Sequence, residues 1–348
     1  MPKRPPPSVP RQTTEVDGAA GASAGRVVVV LTVLVVVLIG AGALRVQLGS
    51  TGSFGWPQST QLREIRINRL AIAGVVGAAL AVSGVGLQSL LRNPLAEPFI
   101  LGLTTGAGVG LMAQLMLEDL LGRPIHIHHA GPLAGAALSL MIVYLTARRN
   151  GVIDPLGLLL VGVVLSTING AVIMFLNLVP GSAGVKTDIM IWMMGFIGEG
   201  TPPGVIRIIA CLTALSLGVL VWYGPAMDVA SLSDAEAESV GVNLKRLRTV
   251  LFVVASVLAA GAVVLAGPVA FVGLICPHLV RLLLGPSHRP LVIGAALAGS
   301  ALLIAADLTS VVLHRIFSWG IMPLGIFTAL LGGIFFLWLL RSRLGRMY

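Results

Sequence analysis

The sequence predicts an all-helical protein that crosses a membrane about ten times. Apolar residues make up 56% of the chain and charged residues 11%, which is too little polar surface for a protein of this size to fold in water. Residues 249–280 contain no Asp, Glu, Lys or Arg, and backbone that faces lipid must form helices or a closed barrel. The alternation typical of barrel strands does not occur in the sequence, so helices are predicted.

Each span is predicted from a window without formal charge that is close to the roughly 20 residues needed to cross a bilayer. The windows are Val27–Leu44, Leu70–Leu91, Pro98–Leu117, Ala130–Ala147, Pro155–Val185, Ile208–Met227, Thr249–Val280, Pro290–Ala306 and Ile316–Leu340. The seventh window is too long for one crossing, and Gly267-Pro268 near its middle predicts a break in the helix. Dividing that window there gives ten spans.

An even number of spans places both termini on one side, and the distribution of Lys and Arg predicts which side. The side of the termini holds Lys3, Arg4, Arg11, Arg26, Arg92, Arg148, Arg149, Lys245, Arg246, Arg248, Arg281, Arg289, Arg341, Arg343 and Arg346, against eight on the other side. Cytoplasmic termini are therefore predicted, with a cytoplasmic segment at 228–248 and an external one at 180–204. Because the basic residues are scattered at span ends, the net charge of +9 does not indicate nucleic-acid binding.

Two domains are expected. Residues 1–25 are rich in Pro, Ala, Gly and Ser and are predicted to form a disordered cytoplasmic tail, whereas residues 26–348 form the ten-helix domain. Cys211 and Cys276 both lie in apolar windows, so neither a disulfide framework nor a thiolate metal site is expected. His126, His128 and His129 cluster in an external loop without other ligands at metal-binding spacing, which favours an ordinary loop over a metal site.

Several classes of membrane protein are disfavoured by what the spans contain. No carboxylate lies in the middle of a window, and only Asp307 comes near one, whereas carriers coupled to protons or sodium normally need such groups. The three lysines do not occur in a phosphate-binding loop, so any ATPase must be a separate protein. Gly106 and Gly110 lie one helical turn apart and are predicted to allow close helix packing.

Polar and small residues form a stripe on one face of the fifth span. The stripe consists of Ser166, Asn169, Gly170, Ile173 and Asn177, at offsets 0, 3, 4, 7 and 11. Two interpretations remain open: hydrogen bonds between helices, or a lining of a translocation path.

Two sequence blocks contain long motifs. The first contains Arg66-Ile-Asn-Arg69 and continues through Gly77–Gly84 into the run 87–98, which includes Asn93-Pro94-Leu95-Ala96-Glu97. The second contains 271–281, followed by Asp307 and by 323–333. Both blocks resemble the FecCD-type permeases of ABC importers, and the resemblance covers essentially all of the chain after residue 25.

This resemblance implies the membrane subunit of a type II importer in a bacterial inner membrane, taking up iron chelates such as ferric siderophores or haem. Corrinoid or molybdate import is the alternative within the family, and an ATP-independent carrier or channel is the alternative outside it. The implied partners are two ATPase subunits that bind ATP and Mg²⁺, a second permease copy, a periplasmic or lipid-anchored binding protein, and membrane lipid. The chain itself is expected to be neither an enzyme nor a holder of a cofactor or metal.

The resemblance also implies roles for particular residues. Arg66, Arg69 and either His314 or Arg315 would dock the binding protein, although arginines at span ends also serve as interfacial anchors. Asn93 and Leu95 would close the cytoplasmic end of the path, although an Asn-Pro pair also ends helices.

The segment after Leu232 is predicted to couple the permease to its ATPase. Ser233 with Glu236 three residues later is typical of a capped helix, and Gly241 is suited to a helix end. The resemblance implies that short coupling helices here fit a groove in the ATPase; an ordinary solvated loop is the alternative. The coupling residues are Ser233, Glu236, Ala237, Glu238, Gly241, Val242 and Asn243.

Overall fold

The computed structural model describes residues 23–49, 54–123, 129–149, 151–178, 189–198, 200–318, 320 and 322–344. Its helices are α1 (Ala24–Gln47), α2 (Thr60–Leu91), α3 (Leu103–Leu121), α4 (Ala130–Thr146), α5 (Pro155–Asn177), α6 (Pro203–Ala230), α7 (Asp234–Ser239), α8 (Leu244–Ala266), α9 (Val272–Leu284), α10 (His288–Phe317) and α11 (Leu324–Leu344). A short 3-10 helix, Pro98–Leu101, precedes α3, and strands β1 (Arg148–Arg149) and β2 (Val152–Ile153) form an antiparallel hairpin between α4 and α5. Most of the predicted tail lies outside the described residues.

The prediction of about ten spanning helices is confirmed. Six of the described helices, α1, α2, α5, α6, α8 and α10, are long and apolar enough to cross a membrane, and α4, α9 and much of α11 are shorter apolar helices. The predicted break is also present, since α8 ends at Ala266 and Gly267 follows with a φ of 64°. α9 begins five residues later, at Val272.

Several predicted boundaries were wrong because charged residues lie inside the helices. α2 begins at Thr60, well before the predicted Leu70, and includes Arg66 and Arg69. α10 continues through Asp307 to Phe317, so Ile316 ends one helix rather than starting the next. These charges have partners inside the bundle, which is why they do not end the helices. The β1–β2 hairpin was not predicted either.

α2 is the central helix of the bundle, with 72% of its most apolar window buried. It packs against α6, α8, α9 and α10. A Cβ atom on Gly77 would lie 2.1 Å from the carbonyl oxygen of Gly299 in α10, so only glycine permits this approach of the two backbones.

α3 and α4 form a second close pair. A Cβ atom on Gly110 would lie 2.0 Å from the carbonyl oxygen of Gly131, and one on Gly106 would lie 2.0 Å from the Oγ of Ser139. The predicted packing role of Gly106 and Gly110 is confirmed.

The bundle has two chemically distinct ends. α7, the β1–β2 hairpin and the junction of α2 with the 3-10 helix lie at one, here called the coupling end, where their side chains contact one another. The start of α2, the end of α1 and Asp307 of α10 lie together at the other, here called the far end.

Candidate functional site

The coupling end contains the capped helix that the sequence predicted. The Oγ of Ser233 accepts a hydrogen bond from the Glu236 amide at 3.1 Å and donates one to the Glu236 carboxylate at 2.5 Å. Gly241 has a φ of 87°, which favours glycine at this helix end. The Val242 amide then bonds to the Ala237 carbonyl at 2.9 Å, and Ala237 is fully buried. α7 is thus a short rigid helix rather than a loose loop.

The start of α8 is fixed in the same way. The side-chain oxygen of Asn243 accepts a hydrogen bond from the Arg246 amide at 2.9 Å, so Asn243 caps the helix. Glu238 lies exposed on α7. The segment therefore presents carboxylates to the solvent while its backbone is tied to α8.

Asp234, the first residue of α7, joins several elements. Its carboxylate pairs with Arg92, after α2, at 2.5 Å and with Arg248 of α8 at 2.9 Å. Arg92 also donates to the Ala230 carbonyl at 2.8 Å, and Arg248 donates to the Ile153 carbonyl in β2 at 3.3 Å. The ion pair of Asp234 with Arg92 therefore connects α7 directly to the end of α2. Sequence reasoning missed this role, because Arg92 is 142 residues from Asp234.

The charge of Asp234 is set by these arginines. Partial burial acts to raise the pKa of Asp234, but the positive charges of Arg248 and Arg92 and their hydrogen bonds outweigh it and hold the pKa below its usual value. The carboxylate is therefore ionised throughout the neutral range.

The turn after α2 is also well defined. Arg92 adopts the left-handed conformation with a φ of 47°, and the Asn93 amide bonds to the Gln88 carbonyl at 3.1 Å. The side-chain oxygen of Asn93 accepts a hydrogen bond from the Leu95 amide at 3.0 Å, which is an Asx turn. Asn93 thus ends the helix, as one interpretation held, while Leu95 is only partly buried; closure of a path by these residues stays a prediction.

Glu97 ties this turn to the start of α9. Its carboxylate accepts a hydrogen bond from the Phe271 amide, and Phe271 has an unusual φ of 68°. The Phe271 ring lies against α11, because a Cβ atom on Gly332 would be 2.2 Å from the Cγ of Phe271. Glu97 was interpreted only as part of a motif, yet its hydrogen bond joins the turn after α2 to Phe271, which in turn contacts α11.

The stripe on α5 faces the interior of this chain. The side-chain amide of Asn169 donates to Ser139 of α4 at 3.2 Å and to Thr105 of α3 at 3.3 Å. Asn177 donates to the carbonyl of Ile173 in its own helix at 2.9 Å, and Ile173 packs in a small apolar cluster with Met112.

Ser166 and Gly170 are the remaining residues of the stripe. Ser166 donates to the carbonyl of Gly162 in its own helix at 2.8 Å, and a Cβ atom on Gly170 would meet no atom within 4 Å. The contacts of Asn169 are those expected from interhelical hydrogen bonding. Asn169 thus joins α5 to α3 and α4, and the assignment of the stripe to a translocation path stays a prediction.

A buried charge cluster lies at the far end. Asp307, with 0% of its surface exposed, pairs with Arg69 at 2.9 Å and with Arg45 of α1. Arg45 also donates to the Leu48 carbonyl at 2.8 Å, and Arg69 lies over the Phe196 ring at 5.9 Å. The cluster holds α1, whose apolar window is 0% buried, to α2 and α10.

The predicted docking arginines do not lie free at the surface. Arg66 is 8% exposed and donates from one nitrogen to the carbonyls of Val46 and Gly55 at 2.7 and 2.8 Å, and Arg69 is 3% exposed. Both guanidinium groups therefore make contacts within the chain, and the docking role of Arg66 and Arg69 stays a prediction. Arg315 is exposed at the end of α10 and His314 is partly buried.

No metal site is formed within the described ranges, where no group of three or more His, Cys, Asp or Glu side chains converges. His126 and His128 lie outside the described residues, and His129 precedes α4.

Comparison with known proteins agrees with this architecture. The model of the FecCD transport family matches residues 27–342. The cobalamin import permease BtuC of Halobacterium salinarum is 38% identical over 86% of this chain and 79% of its own length, and the hemin transport permease HmuU of Yersinia pestis is 34% identical over 80% and 83%. A solved inward-facing ABC transporter of the metal-chelate type superposes with a TM-score of 0.78 at 26% identity, covering 90% of this chain and 99% of the other. The chain therefore belongs to the FecCD transport family, whose members are the membrane permease subunits of ABC importers.

Proposed function

We propose that this permease imports a bulky metal chelate, foremost an iron chelate such as a ferric siderophore or haem. The observation that carries the proposal is the chemistry shared by its relatives: one is named for hemin transport, another for cobalamin import, and the structural neighbour for metal chelates. Each names a metal held by a large organic ligand. Because the relatives differ in the metal and its ligand, a corrinoid is the second candidate.

The exposed face of α5 is suited to such a cargo. Val164, Ile168 and Phe175 lie on the side away from the stripe and are between 52% and 67% exposed. A second copy of the chain facing this side would enclose a largely apolar path, in which a bulky chelate finds few polar groups to hold it. This arrangement supports a homodimer with the path between its copies.

The network at the coupling end supports a transmission route from a separate ATPase. α7 presents Glu236 and Glu238 to the solvent, and a cavity of 540 Å³ lies beside it, lined in part by Asp234, Gly241 and Arg248. In the proposal, two ATPase subunits clasp this end on the cytoplasmic side. Closure of the ATPase pair displaces α7, and the ion pair of Asp234 carries the displacement to the turn at Asn93 and Leu95.

The far end then faces the binding protein. We assign docking to Arg315, with His314 beside it, because Arg315 is exposed and an arginine binds carboxylates well. Arg66 and Arg69 lie at the same end, and we assign them to the same docking surface.

Transport in proteoliposomes tests the proposal. The permease is reconstituted with its ATPase and binding protein, and ATP-dependent uptake of a ferric siderophore, haem and cobalamin is compared, with vesicles lacking the ATPase as control. Saturable uptake of an iron chelate that requires ATP is expected. Preferential cobalamin uptake would select the second candidate, and uptake of any chelate without the ATPase would refute an ATP-driven importer.

A further inference from the structure

A deep apolar groove lies on the surface of the bundle where α4, α6 and α8 meet. Its volume is 730 Å³. Its lining includes the buried side chains of Leu140, Phe252 and Ala260 and the exposed side chains of Ala134, Ala137, Ile208 and Val253. Among its described lining residues, just His129 and Ser256 carry polar side chains. The groove therefore fits a hydrocarbon ligand and no charged one.

The groove is open to the surroundings of the protein along its exposed lining. Ala130, Ala134 and Ala137 recur at helical spacing on one face of α4, and Ala134 and Ala137 are exposed. Ile208 and Val253 are 63% and 48% exposed. Since α4, α6 and α8 are apolar helices of a membrane bundle, the medium that reaches the groove is the bilayer.

A second, more polar cavity of 290 Å³ adjoins the groove at the far end. The two cavities share His129 and Val264 in their walls. Trp192, Phe196 and Thr201 also line the second cavity, so residues with polar groups stand there beside aromatic rings. Tryptophan is characteristic of the boundary between hydrocarbon and headgroups. A long apolar groove that ends in a small polar cavity is complementary to an amphiphile.

The length of the groove matches one leaflet. It extends along α4 from Ala130 to Leu140, which is about 15 Å at the helical rise of 1.5 Å per residue. Half of a hydrocarbon core of roughly 30 Å is also about 15 Å. Ala130 begins α4 at the far end, since α4 leads into the β1–β2 hairpin of the coupling end.

We propose that this groove is a lipid site: one acyl chain of a phospholipid from the leaflet at the far end lies between α4, α6 and α8, with the polar end of the lipid against His129 and Thr201. A chain in the groove is enclosed by protein on several sides, unlike an ordinary lipid at a convex helix surface. The proposed dimer uses the exposed face of α5, so the groove is left to the bilayer.

Native mass spectrometry of the full chain tests the site. The protein is taken from nanodiscs of palmitoyl-oleoyl phosphatidylglycerol into a mild detergent, and the mass of retained lipid and the oligomeric state are read together. Wild type is expected to keep one lipid per chain. Ala137→Phe, which places a ring in the lining of the groove, should lower retention roughly tenfold, the change that about 1.4 kcal/mol of lost contact produces.

Ala214→Phe is the matched control, because Ala214 is exposed on α6 without lining the groove, and it should retain lipid as wild type does. If Ala137→Phe does not fold, Ala137→Leu, which adds a smaller side chain, replaces it in the experiment. Equal retention in the filled and control variants, or no bound lipid in wild type, would overturn the proposal. Dissociation of a dimer by Ala137→Phe would also overturn it, because a second copy would then cover the groove.

Discussion

Replacing Asp307 with asparagine removes a carboxylate that contacts both Arg45 and Arg69 at the far end. The three side chains are 0%, 1% and 3% exposed, so solvent cannot take over the role of the carboxylate. Removing one partner of a buried ion pair costs about 3–5 kcal/mol. We expect Asp307→Asn to lose stability of this order, a large part of the roughly 5–15 kcal/mol that stabilises a typical protein.

Arg45→Met offers a graded comparison, because Asp307 keeps Arg69 at 2.9 Å in that variant. It should cost less than Asp307→Asn and should loosen mainly α1. Glu64→Gln is the control, since Glu64 is an exposed carboxylate of α2 near the same end, and exposed substitutions usually change stability by less than about 0.5 kcal/mol.

The assay is unfolding of the purified permease in detergent, followed by the loss of monodisperse protein with temperature or denaturant. Limited proteolysis between α1 and α2 reports separately on release of α1. If Asp307→Asn unfolds at the same temperature or denaturant concentration as the Glu64→Gln control, the cluster does not stabilise the far end. Arg69→Glu is a poor test of docking, because it would place a second carboxylate beside Asp307 and disturb the buried cluster itself.

Four further predictions concern coupling, uptake and docking. Asp234→Asn should reduce uptake per ATP hydrolysed several-fold while changing stability by only about 1 kcal/mol, because its ion pairs are partly exposed. Asp119→Asn is the control, since Asp119 is exposed on α3. Intact coupling in Asp234→Asn would contradict the proposed route. Because the pKa of Asp234 is lowered, its ion pairs are present above the ordinary carboxyl pKa and are lost only as pH falls through the lower pKa of the folded protein. Coupling in vesicles should therefore be constant between about pH 6 and 8. A sharp change in that range would count against a role of Asp234 in coupling. Glu97→Ala should impair uptake far more than Glu97→Gln, since glutamine still accepts a hydrogen bond from the Phe271 amide, and equal loss in both would show that the charge rather than the hydrogen bond matters. Arg315→Glu should weaken binding of the solute-binding protein, measured by co-purification, without affecting assembly with the ATPase, and unchanged binding would remove Arg315 from the docking surface.

The sequence alone determined the helical class, the number of spans and the family. These properties are local: a charge-free window of sufficient length specifies a membrane helix wherever it occurs, and Gly267-Pro268 breaks α8 from α9 through its own backbone chemistry. The cap of α7 at Ser233 and its end at Gly241 were predictable for the same reason. Each involves residues within a few positions of one another.

Only the tertiary structure decided which charges meet and which faces are open. Asp307 is 262 residues from Arg45, and Asp234 is 142 from Arg92, so no sequence pattern could pair them. The direction of the α5 stripe likewise depends on where α3 and α4 lie. A helix window predicts that a residue lies in the membrane, but its partner is chosen by the packing of helices far apart in the chain, because side-chain contacts in a bundle are made across helices rather than along them.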